Sequence, residues 1–269
     1  MASKDWGEID IRADIPHAGR IYDYMLGGTT HFESDRAASH AAGLEFPGGI
    51  DAARASLRAN RDFLGRAVRF MAEEAGIRQF LDLGTGIPSD DNTHAIALSV
   101  APESKVVYVD NDPIVLAHAH ELLSTTPATT TSYLYADIRD TDSILSQAAE
   151  ILDFDQPVGL VVVAILHFIS DADGAHGLVR RLLDAVPSGS YLAVSHLASD
   201  VVPGLVELYD GISEKTQETF ILRNREEFTR FFDGLELVDP GVTLVASWHN
   251  QPPEDGGPDI FYAGVGRKP

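Results

Sequence analysis

The 269-residue chain has no cysteine, so neither a disulfide framework nor a thiolate metal site can organise it. Cations are scarce: 20 Lys and Arg stand against 41 Asp and Glu, a formal net charge of −21. Nucleic-acid backbones are gripped by Lys and Arg, so this balance argues against a polynucleotide as the main partner. Long apolar runs are missing too. The longest, Val158 to Leu166, falls far short of the roughly 20 residues that a membrane-spanning helix needs. The opening Met1-Ala2-Ser3-Lys4-Asp5-Trp6-Gly7-Glu8 lacks the apolar segment of a secretory signal, and a cytoplasmic protein is expected. His17, His31, His40, His94, His118, His120, His176 and His249 form no convincing metal set; His118 and His120, two apart, face different sides of a helix. No metal is expected.

Hydrophobic residues make up 44% and charged residues 23% of the chain, an ordinary globular balance, and the length suits one large α/β domain or a domain with an appendage. Residues 1–50 stand apart from the rest of the chain. Helical spacing runs from His17 to Leu26 before a Gly27-Gly28 stop, and a short helix is expected over Ser34–Ala42 before Phe46-Pro47-Gly48-Gly49. Ala52–Ala75 reads as a long amphipathic helix, with Leu57, Leu64, Val68 and Met71 along one stripe and Gly76 at its end. Strands and helices then alternate. Strands are expected over Arg78–Leu83, Lys105–Val109, Thr131–Ala136, Val158–Leu166 and Tyr191–Ser195. Helices fall over Asn92–Val100, from an Asp112 cap and Pro113, and over Thr141–Leu152 and Ala175–Ala185. Two further helices, Pro203–Lys215 and Arg225–Phe232, precede closing strands over Leu235–Val238, Val242–Trp248 and Ile260–Val265, with Asn250–Asp259 as an exposed loop. This alternation predicts a doubly wound, parallel sheet over residues 51–269 behind a helical extension over residues 1–50.

The most informative stretch is Gln79-Phe80-Leu81-Asp82-Leu83-Gly84-Thr85-Gly86-Ile87-Pro88, an apolar strand that ends in a carboxylate and two glycines. Glycines there allow a tight turn and let a ligand approach the main chain. A second strand ends at Asp110, 24 residues after Gly86, the spacing at which an acid holds the two hydroxyls of a ribose. The pair describes a pocket for an adenosine-containing cofactor. A dinucleotide fingerprint would carry a third glycine, but Ser89 stands in its place and Asp90-Asp91 come next, where a pyrophosphate would be repelled. S-adenosylmethionine carries no phosphate, and its sulfonium and ammonium tolerate carboxylates. A strand-turn-helix without a ligand is the bland alternative for the glycine loop alone.

Two further strand ends carry candidate chemistry. Tyr135-Ala136-Asp137-Ile138-Arg139-Asp140 resembles the third motif of class I methyltransferases, and that resemblance implies that Asp137 accepts from an adenine amino group; read by itself, Asp137 is an N-cap or turn acid. His167, in Ala164-Ile165-Leu166-His167-Phe168, lies where this fold exposes residues to a transferred group; it is read as a general base or as a structural histidine. His196 is the weaker second candidate. Asn111, Ile138 and Ala164 complete the expected cofactor contacts together with Asp82, Gly84, Thr85, Gly86, Asp110, Asp137 and Tyr22. Neither an Asp/Asn-Pro-Pro-Tyr nor a Pro-Cys motif, signs of methylation on nucleic-acid bases, comes after strand four.

The chain resembles an actinobacterial family of S-adenosylmethionine-dependent methyltransferases, long catalogued as a domain of unknown function. The likeness runs from Ile15-Pro16-His17-Ala18-Gly19-Arg20-Ile21-Tyr22-Asp23-Tyr24-Met25-Leu26-Gly27-Gly28 to the terminal Tyr262-Ala263-Gly264-Val265-Gly266-Arg267-Lys268-Pro269. It includes Arg58-Ala59-Asn60-Arg61-Asp62-Phe63-Leu64, the Asp82 loop and Val107-Tyr108-Val109-Asp110-Asn111-Asp112-Pro113. The resemblance implies a class I methyltransferase fold, Rossmann-like with one antiparallel strand, and S-adenosyl-L-methionine as cofactor, but no substrate; the acidic charge and the missing base-methylation motifs make a small-molecule methyl acceptor the expectation. It implies that His167 removes a proton if the acceptor is a hydroxyl. The amino-terminal segment, with Arg20, Tyr22 and Tyr24, reads as a lid over the cofactor or as a helix covering the sheet. A cofactor-binding sensor without transfer activity and an NAD-dependent oxidoreductase remain as alternatives.

Overall fold

The computed structural model describes residues 12–88, 92–115, 117–118, 130–215, 218–250 and 259–269. Ser89, Asp90 and Asp91, His120, the opening residues 1–11 and most of the Asn250–Asp259 loop lie outside them. Among the described residues, eight strands form one sheet: β1 (Gln79–Leu83), β2 (Lys105–Asp110), β3 (Thr131–Tyr135), β4 (Gly159–Val163), β5 (Tyr191–Leu197), β6 (Glu236–Leu237), β7 (Thr243–Leu244) and β8 (Phe261–Arg267). Their order is β3-β2-β1-β4-β5-β8-β6, with β7 also on β8. Strands β1 to β5 are parallel, whereas β8 runs antiparallel to its partners β5, β6 and β7. The chain therefore leaves β1 for β2 and β3 on one side, then returns to β4 on the other. That reversal opens a crevice beyond the carboxyl ends of β1 and β4.

Both faces of the sheet are covered, and the sequence of β4 shows why. Val161 and Val163 pack into one apolar cluster, and Leu160 and Val162 into the other. A strand buried on both faces needs the continuous apolar run seen there. On one face lies the long helix α3 (Gly49–Glu73), whose Phe63, Ala67, Val68 and Met71 are fully excluded from water or nearly so. Gly159 permits this close packing, since a Cβ there would sit 2.8 Å from the Phe80 ring. Helices α1 (Ala18–Leu26) and α2 (Glu33–Glu45) pack against α3. Further along are α4 (Thr93–Val100), α5 (Thr141–Ala148), α6 (Ala175–Asp184), α7 (Leu205–Lys215) and α8 (Arg225–Thr229). Among the described residues, no helix is long and apolar enough to cross a membrane.

The expected elements that fall on described residues are present, with instructive differences at their ends; the helix expected from the Asp112 cap and Pro113 lies largely outside the described residues. Strand β4 stops at Val163 rather than Leu166, because Ala164 adopts a φ of 55° and residues Leu166–Phe168 form a 3-10 turn. Alternation of apolar residues is blind to that turn. The strand expected over Val242–Trp248 shrinks to Thr243–Leu244 and then coils through a 3-10 turn over Val245–Ser247. Arg66 of α3 captures the carbonyls of Val245 and Trp248 at 2.6 and 2.8 Å, and Trp248 is buried edge-on against Phe63. The helix expected to reach Leu152 ends at Ala148, and the one expected to reach Phe232 closes with a 3-10 turn over Arg230–Phe232. Helix α2 is longer than expected at both ends. Its Asp35, fully buried, accepts from the amides of Phe32 and His17 and pairs with Arg20 at 3.3 Å.

Candidate active site

The β1 loop is built around its two glycines. Gly84 has a φ of 72°, and a Cβ on it would lie 2.6 Å from Ile165 in the loop after β4. Its backbone conformation and its neighbour both exclude a side chain there. Gly86, with a φ of 66°, donates its N–H to Asp110 Oδ2 at 2.8 Å, while Asp110 Oδ1 accepts from the Asp112 amide at 2.8 Å. Asp110 thus ties the β1 loop to the end of β2. Burial raises its pKa, against the lowering effect of those two amides. Asp112 in turn accepts from the amide of Ile114 at 2.8 Å, as a helix cap should.

Asp82 is buried and accepts a hydrogen bond from the Thr93 hydroxyl at 2.6 Å. Burial lifts its pKa to about 6, opposed by the Thr93 hydroxyl and Arg61 and assisted by Asp110. Arg61 donates to Asn92 and lines the same cavity. Arg61 thus sets a cation near enough to the buried Asp82 to lower its pKa.

The expected cofactor contacts and His167 all lie on the wall of one cavity of about 1420 Å³: Tyr22, Asp82, Gly84, Thr85, Gly86, Asp110, Asn111, Asp137, Ile138, Ala164 and His167. Asp137 is 42% exposed and also serves as a turn acid, accepting from the Arg139 amide at 2.9 Å and pairing with the Arg139 guanidinium. Ala164 donates its N–H to the hydroxyl and the carbonyl of Ser195 at 3.1 and 3.3 Å. A non-glycine residue at positive φ is a strained arrangement that neighbouring contacts must hold. The Ser195 hydroxyl donates to Asn60 Oδ1 at 2.5 Å, Asn60 Nδ2 donates to the Tyr22 hydroxyl at 3.0 Å, and Tyr22 donates to the Leu57 carbonyl at 3.0 Å. Sequence reasoning missed Asn60, Arg61 and Ser195. Asn60 had a signal: a polar residue at i+3 from Leu57 on the apolar stripe of α3.

The amino-terminal candidates divide. Tyr22 faces the cavity, whereas Arg20 is buried beside Asp35 and also donates to the Ile15 carbonyl. The Tyr24 hydroxyl lies 2.8 Å from His40 Nε2. His17 Nδ1 sits 3.1 Å from the Asp112 carboxylate and 3.3 Å from the Gly19 amide.

His167 is buried on the 3-10 turn after β4, and its Nδ1 has no hydrogen-bond partner among the described residues. Burial, then His196 and Arg223, hold its pKa well below the usual imidazole range, so it is neutral at physiological pH. His196 has a different task. Its Nδ1 lies 2.7 Å from the Leu197 carbonyl and its Nε2 accepts from Arg223, while burial and Arg223 push its pKa down to about 3. Arg223 also donates to the carbonyls of Leu166 and Ile169 at 3.2 and 2.9 Å and to Asp171 at 2.6 Å, clamping the turn that carries His167. Among the described residues, no group of three His, Cys, Asp or Glu could hold a metal ion.

This sheet order and glycine loop define a class I methyltransferase fold. The profile of the S-adenosyl methyltransferase family matches residues 4–269, and the chain belongs to that family. It is similar to a solved DUF574 family protein from Streptomyces avermitilis, with 44% identity, a TM-score of 0.90 and coverage of 96% of this chain and 100% of that one. A candidate methyltransferase from Thermobifida fusca matches at 38% identity and a TM-score of 0.88, covering 98% of both chains. The 1,6-didemethyltoxoflavin-N1-methyltransferase of Burkholderia thailandensis, solved with S-adenosylhomocysteine, shares the fold at 15% identity and a TM-score of 0.51, over 94% of this chain and 91% of that one. No curated protein sequence matches the chain.

The raised pKa of Asp82 gives a pH-dependent prediction. A carboxyl whose pKa is higher folded than unfolded adds stability while protonated, fully below about pH 4, and loses that contribution as pH rises through about 6. Asp82→Asn keeps a neutral side chain that can still accept from Thr93. In urea unfolding of the cofactor-free protein, its stability relative to wild type should therefore increase from about pH 4 to about pH 7, by on the order of 3 kcal/mol. A difference independent of pH would show that Asp82 ionises as freely as an exposed acid.

Proposed function

We propose that the protein transfers a methyl group from S-adenosyl-L-methionine to a small-molecule acceptor, with a hydroxyl oxygen as the favoured acceptor atom. The observation that carries this reading is the cavity. Its volume of about 1420 Å³ exceeds the range of about 300–1,000 Å³ typical of one small-molecule site, so a cofactor and an acceptor fit side by side. A sensor that only binds the cofactor has no need of the second space. An NAD-dependent enzyme would need a pyrophosphate seat, which the missing third glycine disfavours.

The donor set fits the cofactor. Asp110 would hold the ribose, with Asn111 beside it, and Asp137 and Ile138 the adenine. Gly84, Thr85 and Gly86 with Asp82 would receive the methionine end, and Ala164 would border the transferred group. When bound, the cofactor supplies a methyl group on a positively charged sulfur. The chain's main contribution is then to hold the acceptor in line and to keep water out. His167, uncharged and buried, would take the acceptor's proton. Residues 1–50 would act as a lid over residues 51–269, with Tyr22 against the cofactor and Arg20 as its anchor.

Asp110→Ala should lower S-adenosylmethionine affinity at least about tenfold in calorimetry, since each lost charge-assisted hydrogen bond is worth about 1.5–3 kcal/mol. Unchanged affinity in a folded variant, or tight binding of NADH by the wild type, would overturn the cofactor assignment.

For His167→Ala, cofactor affinity should stay within about twofold, while single-turnover methyl transfer slows by about 10²–10⁴. Because the imidazole pKa is depressed, the acid limb of the wild-type rate profile should lie well below the usual histidine range. Equal losses of thermal stability and cofactor binding would mark His167 as structural.

The lid makes a third claim. Amide exchange across residues 16–28 should slow more on adding S-adenosylhomocysteine than exchange in α5 or α6, on the opposite side of the sheet from α3. Tyr22→Ala should weaken binding more than Tyr24→Ala, because only Tyr22 lines the cavity. Indifferent exchange together with two unaltered affinities would leave the segment as a cover.

A further inference from the structure

One end of the cavity is walled by aromatic rings that the cofactor motifs do not use. His167, Phe168, Tyr209 and Phe220 all line it. Their rings form a continuous group: His167 to Phe168 at 4.4 Å, Phe168 to Phe220 at 4.9 Å, Tyr209 to Phe220 at 5.1 Å, and His167 nearly parallel to Phe220 at 5.7 Å. These are the separations of offset or tilted aromatic contacts, which leave ring faces and edges to greet a further ring. The wall is also fixed in place. The Ile221 amide donates to the His167 carbonyl at 2.7 Å, and the Phe220 amide to the Ser213 hydroxyl at 3.1 Å. Beneath it, Arg223 holds the carbonyls on either side of the His167-Phe168 pair. The backbone under the rings is already ordered, so a flat ligand that stacks on them has less loop ordering to impose.

Charge narrows the class further. Asp173 and Glu218, close in sequence to the two aromatic segments, line the same cavity, and neither would welcome an anion. Arg139, near Phe168, is already shared between Asp137 and the Phe168 carbonyl. Resting on the methyltransferase reading above, we infer that the acceptor is a planar aromatic molecule, uncharged or cationic, which stacks on the Phe168–Phe220 wall with its nucleophilic atom toward His167. Phe220 is the residue that selects for it. An aliphatic or carboxylate-bearing acceptor would not match this wall.

The test uses the full-length protein loaded with S-adenosylhomocysteine, titrated by calorimetry with 2-naphthol, its saturated counterpart decahydro-2-naphthol, and 2-naphthoate. The first should bind, and the other two at least tenfold more weakly. Phe220→Ala, with Phe220→Leu as the gentler replacement should the first not fold, should weaken 2-naphthol binding at least tenfold and leave S-adenosylhomocysteine affinity within twofold. Absence of 2-naphthol binding, equal binding of the saturated compound or the carboxylate, or an unaltered affinity in the folded Phe220 variant would overturn the inference while the cofactor reading stands. Failure of S-adenosylhomocysteine itself to bind shows before any acceptor is added; it would overturn the cofactor reading and this inference with it.

Discussion

The structure hangs on one chain of buried hydrogen bonds. It begins at the Ala164 amide, where β4 turns out of the sheet with a positive φ, and passes through the Ser195 hydroxyl and the Asn60 amide to the Tyr22 hydroxyl and the Leu57 carbonyl. Asn60 and Ser195 are almost wholly buried, so each would cost free energy if left unpaired. Satisfied in series, they lock three layers together: the sheet, the long helix α3 and the first helix α1. The strained backbone at Ala164 is tolerable because this chain holds it. The amino-terminal helix α1 is consequently docked by the same bonds that hold the cavity wall, and a change at Tyr22 reaches the backbone of Ala164.

Electrostatics then divide the site. The acids at the β1 and β2 ends are costly to ionise where they sit, as burial raises both Asp82 and Asp110. A cationic ligand relieves that cost, and S-adenosylmethionine brings two positive centres. Asp35 in α2, also buried, is by contrast already paired with Arg20 and with two backbone amides.

Much of the site is legible in the sequence because its parts are local. Asp82, Gly84, Gly86 and Asp110 are found from where apolar strands stop and which residues stop them, and the structure puts these strand ends side by side. The parts that escape are those joined across long distances in sequence. Asn60 meets Ser195 over 135 positions, and Ile221 is bonded to the turn that carries His167. No spacing rule contains such a pairing. The end of β4 escapes for a related reason: the apolar run continues past Val163, but the strand does not, because the Ser195 hydroxyl and carbonyl draw in the Ala164 amide. Arg66 acts the same way on the expected strand over Val242–Trp248, coiling it by capturing its carbonyls.

The pair His167 and His196 shows how burial sorts two similar residues. Both are neutral, yet Arg223 gives them opposite duties. His196 receives its hydrogen bond and fixes the floor; the neighbouring carbonyls receive the others, so the turn bearing His167 cannot drift. His167 keeps one buried ring nitrogen without a partner among the described residues. In the proposed reaction the acceptor hydroxyl would meet the ring where it lines the cavity. An imidazole with a depressed pKa is a weak base, so it can complete a proton transfer without driving one. In the proposed reaction the greater part of the rate would then come from alignment, for which the turn clamped by Arg223 gives a fixed support.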